Sequence, residues 1–311
     1  MRLAMFLAFL GFAACAAAPK SSYIFKTAGN CAIRADVYRP PGPQVRPAIL
    51  WIHGGALISG GRANIRARQL QRYLDEGFAV VSIDYRLAPE TKLPEILEDV
   101  GDAYRWLRSE GPKLAGIDPD RIAVVGHSAG GYLTLTCGYR LNPRPRALVS
   151  FYGYGDITGD WYSKPDPFYS SKEPRVSEQD ARAAVGREPL SEVTGDAPRF
   201  RFYLYCRQNG LWPKEVAGRD PRADPKAFDP WSPVRNVTPR FPPAMLLHGD
   251  KDTDVPFEQS ELMAREFRRH GVEHELVRIP GGEHGFDGRP DDPAVAQAVD
   301  RAIAFLKKHL K

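Results

Sequence analysis

The sequence lacks the cysteine patterns, like-charge runs and long apolar segments that identify several classes of protein. Its four cysteines show no CxxC spacing, which argues against a cysteine-based metal site. Lysine and arginine are scattered, so the formal charge of +5 indicates a solvated surface and no nucleic-acid partner. After residue 18 no apolar run is long enough to span a membrane, and no motif implies an organic cofactor or a metal.

The first eighteen residues differ in composition from the rest. One positive charge at Arg2 precedes an almost wholly apolar stretch, Leu3–Ala14, and small residues follow it. This layout is typical of a secretory signal peptide, so we expect export to the periplasm or the exterior, with 19–311 as the mature chain. Phe12-Ala13-Ala14-Cys15 also resembles a bacterial lipoprotein box, which leaves a lipid anchor at Cys15 open. A buried N-terminal helix is the alternative, and the lack of a polar face argues against it.

Cleavage of that segment would leave three cysteines, Cys31, Cys137 and Cys206. An odd number in an exported protein allows at most one internal disulfide, and the sequence does not say which pair would form it. The oligomeric state is likewise left open.

Apolar runs and helical patterns alternate through most of the chain. A loosely alternating stretch at 22–39, ended by Pro40-Pro41-Gly42-Pro43, predicts an initial strand pair. Short apolar runs then predict buried strands at Ala48–His53, Ala79–Tyr85, Arg121–Gly126, Ala147–Phe151, Ala244–His248 and Glu275–Ile279. Helical patterns lie between them, at Gln69–Glu76, Leu93–Glu110, Ala129–Tyr139, Phe257–His270 and Pro293–Leu310. This alternation indicates an α/β fold, with a mostly parallel central sheet covered by helices on both faces.

The alternation stops between about 152 and 242. This stretch is rich in aromatic residues, prolines and charges, and a structureless loop of its length is implausible in a compact domain. We therefore expect an inserted cap with helices of its own. Because ligands bind near the carboxyl ends of parallel strands, such a cap would help to shape a binding pocket. The alternative is a structural elaboration far from any site.

Gly126-His127-Ser128-Ala129-Gly130 places a serine between glycines, after a predicted buried strand and before a predicted helix. Alone the pattern is weak, since glycine and serine are common in turns. In this context it predicts a nucleophile elbow, a strained turn that exposes the serine hydroxyl above the sheet. The glycines allow a tight crossing from strand to helix, and the helix N-terminus faces the carbonyl where negative charge develops. Ser128 is therefore the candidate nucleophile.

A serine nucleophile needs a base, and the base needs an orienting acid. In elbow-type enzymes these follow in the order serine, acid, histidine. Of the seven histidines, only His284 lies in a glycine-rich loop downstream of both the elbow and an acidic loop. That acidic loop offers three carboxylates, those of Asp250, Asp252 and Asp254, and their positions alone do not choose among them.

His53-Gly54-Gly55 follows an upstream predicted strand and resembles the HGG motif of lipases and esterases. In that motif, backbone N–H groups form an oxyanion hole together with the residue after the nucleophile, here Ala129. The N–H groups of Gly54, Gly55 and Ala129 are the candidate donors. The tripeptide also fits a simple turn from strand to loop.

In this order, the motifs resemble those of the α/β-hydrolases from about residue 45 onward. HGG, DYRLAPE at Asp84–Glu90 and GHSAGG at Gly126–Gly131 resemble the hormone-sensitive-lipase-like (alpha/beta hydrolase fold-3) esterases. DYRLAPE is the most specific of the three, and the resemblance implies that it shapes the loop beside the oxyanion hole. The family usually reads HGGG and GDSAGG, where this chain has Ala56 and His127.

The acidic loop carries a second resemblance. HGDKDTDVP at His248–Pro256 is similar to the HGxxDxxVP pattern of prolyl-oligopeptidase-like and feruloyl-esterase-like hydrolases, whose aspartate matches Asp252. The resemblance thus favours Asp252 as the acid, and Asp250 and Asp254 are then expected to cap or turn the loop.

Together these resemblances imply a serine esterase without a cofactor, in which Ser128, His284 and Asp252 hydrolyse carboxylic esters through an acyl-enzyme. The expected substrate is a small-molecule or polysaccharide-linked ester with a short acyl chain, such as an acetyl or feruloyl group. One alternative is a prolyl-oligopeptidase-like peptidase, which would use the same residues. Another is a non-catalytic ligand-binding homologue, which would commonly lack a triad member.

Overall fold

The computed structural model describes residues 20–193 and 198–311, and the expected signal segment with Cys15 lies outside them. In this range the strands are β1 (Lys20–Ala28), β2 (Cys31–Tyr38), β3 (Arg46–Ile52), β4 (Ala79–Ile83), β5 (Ile117–His127), β6 (Leu148–Phe151), β7 (Ala244–Gly249) and β8 (His274–Ile279). They form an eight-stranded sheet in the order β1-β2-β4-β3-β5-β6-β7-β8. The pairs β1–β2 and β2–β4 are antiparallel, and the others are parallel. The expected α/β fold with a mostly parallel sheet is therefore confirmed.

Helices cover the sheet on both faces. They include α1 (Ala67–Asp75), α2 (Leu93–Ala115), α3 (Ala129–Arg140), α4 (Asp160–Ser163), α5 (Pro167–Lys172), α6 (Glu178–Ala183), α7 (Arg199–Asn209), α8 (Trp212–Ala217), α9 (Glu258–Arg269) and α10 (Pro293–His309). Apolar residues of α1 and α10 pack with one face of the sheet. Those of α2, α3 and α9 pack with the other. The continuous apolar runs of the inner strands follow from this, because both of their faces are buried.

Most element boundaries lie within two positions of the predicted ones, and two differ by more. Helix α2 continues past Gly111-Pro112 to Ala115, and Gly116 ends it in a left-handed conformation with φ 57°. Within the extended part of the helix, a side chain at Gly111 would crowd Leu107 and Ile117, whose nearest atoms lie 3.0 Å and 3.4 Å from the position of an added Cβ. Strand β5 begins four positions before the expected Arg121, since Ile117 already pairs with Arg46 of β3.

The segment between β6 and β7 contains helices α4 to α8 in its described residues, followed by two 3-10 helices, Pro225–Trp231 and Pro233–Arg235. Its aromatic side chains pack on one another, as in the stacked pairs Trp161–Tyr162 and Tyr162–Trp212. Trp212 also reaches beyond the segment, since its indole N–H donates to the Ala56 carbonyl at 2.9 Å. The segment therefore packs against the loop that follows β3.

Two further features concern the described residues alone. Cys31, Cys137 and Cys206 are all buried and form no disulfide. Within residues 20–193 and 198–311, no helix has both the length and the apolar character that a membrane crossing requires.

Candidate active site

Ser128 occupies a sharp turn between β5 and α3. Its backbone has φ 55° and ψ −120°, a conformation that is strained for a residue with a side chain. The turn is fixed to the next strand, because the Ser128 N–H donates to the Phe151 carbonyl at 2.9 Å. Strain that is held in this way indicates that the position of the hydroxyl matters.

The two glycines of the elbow have a steric role. A Cβ on Gly126 would lie 2.2 Å from the carbonyl oxygen of Gly130. A Cβ on Gly130 would lie 2.1 Å from the carbonyl oxygen of Ile52 in β3. Neither position can hold a side chain without moving backbone, so the motif lets α3 start directly against the sheet.

The structure brings Ser128, His284 and Asp252 together from three separate loops. Nε2 of His284 lies 3.0 Å from Oγ of Ser128, and Nδ1 of the same ring lies 2.8 Å from Oδ2 of Asp252. In the sequence, Ser128 is 156 positions from His284, and Asp252 is 32 positions from it. Parallel strands place all three at the carboxyl end of the sheet.

The side chain of Asp252 is wholly buried, and both of its oxygens have partners. Its Oδ1 accepts the backbone N–H groups of Asp254 at 2.9 Å and Val255 at 2.8 Å. Its Oδ2 lies 3.2 Å from Nε2 of His248, besides its contact with His284. Burial opposes ionisation, but the hydrogen bonds from His248 and His284 outweigh it and hold the pKa of Asp252 well below its usual range.

An ionised Asp252 fixes the tautomer of His284. A carboxylate only accepts hydrogen bonds, so Nδ1 of His284 carries the proton and Nε2 presents its lone pair to the Ser128 hydroxyl. This is the arrangement that a general base requires. Although His248, Asp252 and His284 are neighbours, no three His, Cys, Asp or Glu side chains of the described residues are arranged to hold a metal ion.

The candidate oxyanion donors lie beside the elbow. A Cβ on Gly54 would be only 3.1 Å from Cβ of Ser128, so the loop after β3 approaches the serine closely. Gly55 and Ala56 have φ values of 106° and 56°, which bend this loop sharply. Ala129 is the first residue of α3, where an N–H has no partner within the helix. Among the described residues, no backbone hydrogen bond of the loops and turns uses the N–H of Gly54, Gly55 or Ala129.

The DYRLAPE segment supports this loop, as the family resemblance implies. The Tyr85 hydroxyl donates to the His53 carbonyl at 3.0 Å, and the two rings stack with centroids 4.1 Å apart. The Ala88 N–H donates to the Leu57 carbonyl at 2.8 Å. Burial lowers the pKa of His53 to about 4, with a smaller opposing effect of the Gly54 carbonyl, so this ring is neutral at neutral pH.

A second network lies behind His284, and the sequence did not reveal it. The Tyr152 hydroxyl donates to Oδ1 of Asp287 at 2.6 Å, and its ring packs edge-on against His284 with centroids 4.7 Å apart. Nε of Arg66 donates to Oδ2 of Asp287 at 2.7 Å. Nε2 of His127, within the elbow, lies 3.3 Å from the same oxygen. Asp287 thus connects the histidine loop with the elbow. In the sequence, the position of Asp287 three residues after His284 was a signal that could have revealed this network.

The side chains of Asp250 and Asp254, the other two aspartates of the acidic loop, bind different partners. Asp250 accepts the Gly281 N–H at 2.7 Å and Nε of Arg278 at 2.9 Å. The side chain of Asp254 instead binds Arg207 of α7 and extends to 3.4 Å from Nε2 of His284. The sequence did not reveal this side-chain contact, because the cation that binds Asp254 comes from the inserted segment.

Comparisons with known proteins agree with this geometry. A family model described as alpha/beta hydrolase fold matches residues 49–288. Among curated proteins, the chain is 30% identical to the non-reducing polyketide synthase adrD of Penicillium rubens, over 91% of the chain and 13% of the synthase. It is also 30% identical to the non-reducing polyketide synthase ausA of Aspergillus calidoustus, over 89% of the chain and 14% of the synthase. The chain therefore spans only a small part of these relatives.

Solved structures share the fold over almost their whole length. A Staphylococcus aureus protein of unknown function has a TM-score of 0.77 and 24% identity, covering 94% of this chain and 100% of its own. An alpha/beta hydrolase superfamily protein from Enterococcus faecalis has a TM-score of 0.74 and 23% identity, covering 93% and 99%. A thermophilic esterase from Thermogutta terrifontis has a TM-score of 0.65 and 23% identity, covering 93% and 94%. At these identities the likeness concerns the fold.

Proposed function

The chain belongs to the alpha/beta hydrolase fold family, and on that premise we propose that it is a serine esterase that cleaves carboxylic esters through an acyl-enzyme. The observation that carries the proposal is the line of contacts from Ser128 through His284 to Asp252, at 3.0 Å and 2.8 Å. Such a line activates a hydroxyl that is otherwise a weak nucleophile at neutral pH.

In the first half of the reaction, Oγ of Ser128 attacks the ester carbonyl carbon while its proton passes to Nε2 of His284. The carbonyl oxygen becomes an oxyanion, which the N–H groups of Gly54, Gly55 and Ala129 stabilise. Each such donor contributes about 3 kcal/mol to the stability of the transition state. The intermediate collapses with cleavage of the bond to the alcohol oxygen, and His284 gives its proton to the departing alcohol.

In the second half, a water molecule attacks the acyl carbon of the ester to Ser128. His284 takes a proton from that water, and a second oxyanion occupies the same N–H groups. Its collapse breaks the bond to Oγ, the proton returns from Nε2 to Ser128, and the free carboxylic acid leaves. Asp252 keeps Nδ1 protonated throughout and stabilises each imidazolium.

A short acyl chain is the substrate class that we propose. The esterase from Thermogutta terrifontis was solved with butyrate in one structure and with propionate in another. These small acids are the acyl products of short-chain esters, and their presence in a protein of the same fold supports the proposal. An alcohol linked to a polysaccharide, with an acetyl or feruloyl acyl group, would suit an exported enzyme. Export itself rests on the composition of residues 1–18.

We also propose that the segment from 152 to 242 acts as the cap of this site. Two of its arginines support this role, since Arg199 donates to the Ile58 carbonyl and Arg207 binds Asp254. The first contact is in the loop that carries Gly54 and Gly55, and the second lies beside His284. A cap with these contacts would set the width of the acyl pocket.

Labelling with a fluorophosphonate tests the nucleophile directly. Sarin phosphonylates the Thermogutta terrifontis esterase, and a serine activated by His284 should react with such a reagent. We expect one phosphonyl adduct on Ser128 by peptide mass spectrometry, none in Ser128→Ala, and full labelling in the control Ser171→Ala, whose hydroxyl is exposed. An adduct on another residue, or equal labelling of Ser128→Ala, would refute the assignment.

A substrate panel separates the esterase from its alternatives. p-Nitrophenyl esters from acetate to decanoate, acetylated xylan, an acyl thioester and a dipeptide amide should show fastest turnover with short-chain esters. A thioester belongs in the panel because the curated relatives are polyketide synthases. Preference for the dipeptide amide would indicate a peptidase, and a lack of turnover with every substrate would indicate a binding protein.

A further inference from the structure

The two oxygens of Asp254 have different surroundings. Within the described part of the chain, the side-chain donors of Tyr169, Tyr203 and Arg207 all bind Oδ1, those of Tyr169 and Arg207 at 3.0 Å and 2.8 Å. Oδ2 instead lies 3.4 Å from Nε2 of His284. A side chain that only closed the loop would not need three donors on one oxygen. The donors fix the carboxylate, and they leave its other oxygen directed at the imidazole.

The cation that holds Asp254 is itself buried in aromatic rings. The Arg207 side chain is 1% exposed, and its guanidinium carbon lies within 6 Å of the ring centres of Trp161, Tyr162, Tyr169 and Tyr203. It also binds Oδ2 of Asp166, the residue that caps α5. A guanidinium in such a cage has few alternative positions. Arg207 therefore holds the orientation of the Asp254 carboxylate without approaching Ser128 itself.

Charged and titratable groups face His284 from each element packed against it. The loop after β7 supplies Asp252 at Nδ1 and Asp254 at Nε2. Helix α7 supplies the positive charge of Arg207, the residue after β6 supplies the ring of Tyr152, and the elbow supplies the hydroxyl of Ser128. The negative charges of Asp252 and Asp254 thus outnumber the positive charge of Arg207, and their net effect favours the imidazolium form of His284.

We propose that Asp254 is a positioning residue, a second carboxylate that acts on His284 from the side opposite to Asp252 and stabilises the imidazolium formed when Ser128 loses its proton. The inference rests on the proposed esterase function. In the resting enzyme Nε2 bears a lone pair, which repels Oδ2 of Asp254. After proton transfer, Nε2 bears a proton that the same oxygen attracts. The interaction therefore becomes favourable only as the reaction proceeds, which is the condition for catalysis.

The direction of the pKa shift of His284 is consistent with stabilisation of the imidazolium by Asp254. Burial disfavours the charged ring, but the carboxylates of Asp254 and Asp252 outweigh burial and raise the pKa of His284 above its ordinary value. Removal of the charge on Asp254 should therefore lower that pKa. Because the base must be neutral to act, the acid limb of kcat/KM should move to lower pH with it.

The experiment compares Asp254→Asn with Asp250→Asn, an isosteric loss of charge in the same loop at a residue that does not contact His284. Histidine labelled with ¹⁵N reports the titration of His284 by NMR, with His284→Gln to assign its signal. We expect the pKa of His284 to fall by about one unit in Asp254→Asn and to stay unchanged in Asp250→Asn. In Asp254→Asn, kcat should fall more than KM changes, and the acid limb of kcat/KM should shift with the NMR titration.

An unchanged His284 titration in folded Asp254→Asn would overturn the proposal. If that variant does not fold, Asp254→Glu and Asp254→Gln form a second pair of equal length, in which the charged variant should give the higher pKa. Equal values in that pair would also overturn it. The NMR titration needs no turnover, so it can fail independently of fluorophosphonate labelling at Ser128, which tests the function.

Discussion

Arg199 binds both carboxylate oxygens of Glu90, with two N–O distances of 2.7 Å, in a pair that is almost wholly buried. The same guanidinium donates to the carbonyls of Ile58 and Ala88, each at 2.7 Å. One side chain of α7 therefore connects the last residue of DYRLAPE with the loop that follows Gly54 and Gly55. It lies at the opposite end of the helix from Arg207.

The first prediction concerns this pair. Glu90→Gln should lower the free energy of unfolding by about 3 kcal/mol, because it leaves a buried guanidinium without its countercharge. Urea unfolding at neutral pH measures the loss. Glu178→Gln is the matched control, since its partner Arg182 lies 3.5 Å away in an exposed pair, which should contribute less than about 1 kcal/mol. Equal losses in the two variants would show that burial of the Arg199 pair does not matter.

The strands of the sheet and the helices between them were predictable because the local sequence indicates the type of each element. Strand β4 is a run of five buried residues, and its apolar sequence marks it without knowledge of its neighbours. Ser128 and His284 became candidates in a similar way, since glycine-rich loops and chain order restrict where a nucleophile and its base can lie.

The partners of these elements could not be predicted. Glu90 and Arg199 are 109 positions apart, and Asp254 and Arg207 are 47 apart. No spacing rule links residues across an inserted segment, so the sequence left Asp254 as a turn residue. Long-range ion pairs depend on how that segment packs, and packing is a property of the folded chain.

The second prediction distinguishes the acid of the triad. Asp252→Asn should lower kcat by about 10⁴-fold, because an amide no longer selects the tautomer in which Nε2 of His284 accepts the serine proton. Asp250→Asn should change kcat little, since its carboxylate binds the Gly281 N–H and Arg278 and does not contact His284. Steady-state kinetics with p-nitrophenyl acetate checks both. A large loss in Asp250→Asn with near-normal turnover in Asp252→Asn would reverse the assignment.

The third prediction concerns the elbow as a backbone structure. In Gly130→Ala the new Cβ would lie 2.1 Å from the Ile52 carbonyl oxygen and 2.5 Å from that of His53, both at the end of β3. Backbone cannot yield as a flexible side chain does, so α3 must move away from the sheet and carry Ala129 with it. We expect a loss of several kcal/mol in the free energy of unfolding, by the overpacking that enlarged core residues produce. Any protein that still folds should also lose activity, because the N–H of Ala129 is displaced from the oxyanion.

Gly101→Ala is the control for that variant. Gly101 lies in α2, where the nearest atom to an added Cβ is the end of the flexible Arg105 side chain, at 3.4 Å. Alanine favours a helix over glycine by up to about 1 kcal/mol, so this variant should be as stable as the unchanged protein or slightly more stable. Thermal and urea unfolding of both variants give the comparison. Suppose that Gly130→Ala unfolded at the same temperature and urea concentration as Gly101→Ala and retained full esterase activity. Close contact between α3 and β3 would then not determine the position of Ser128.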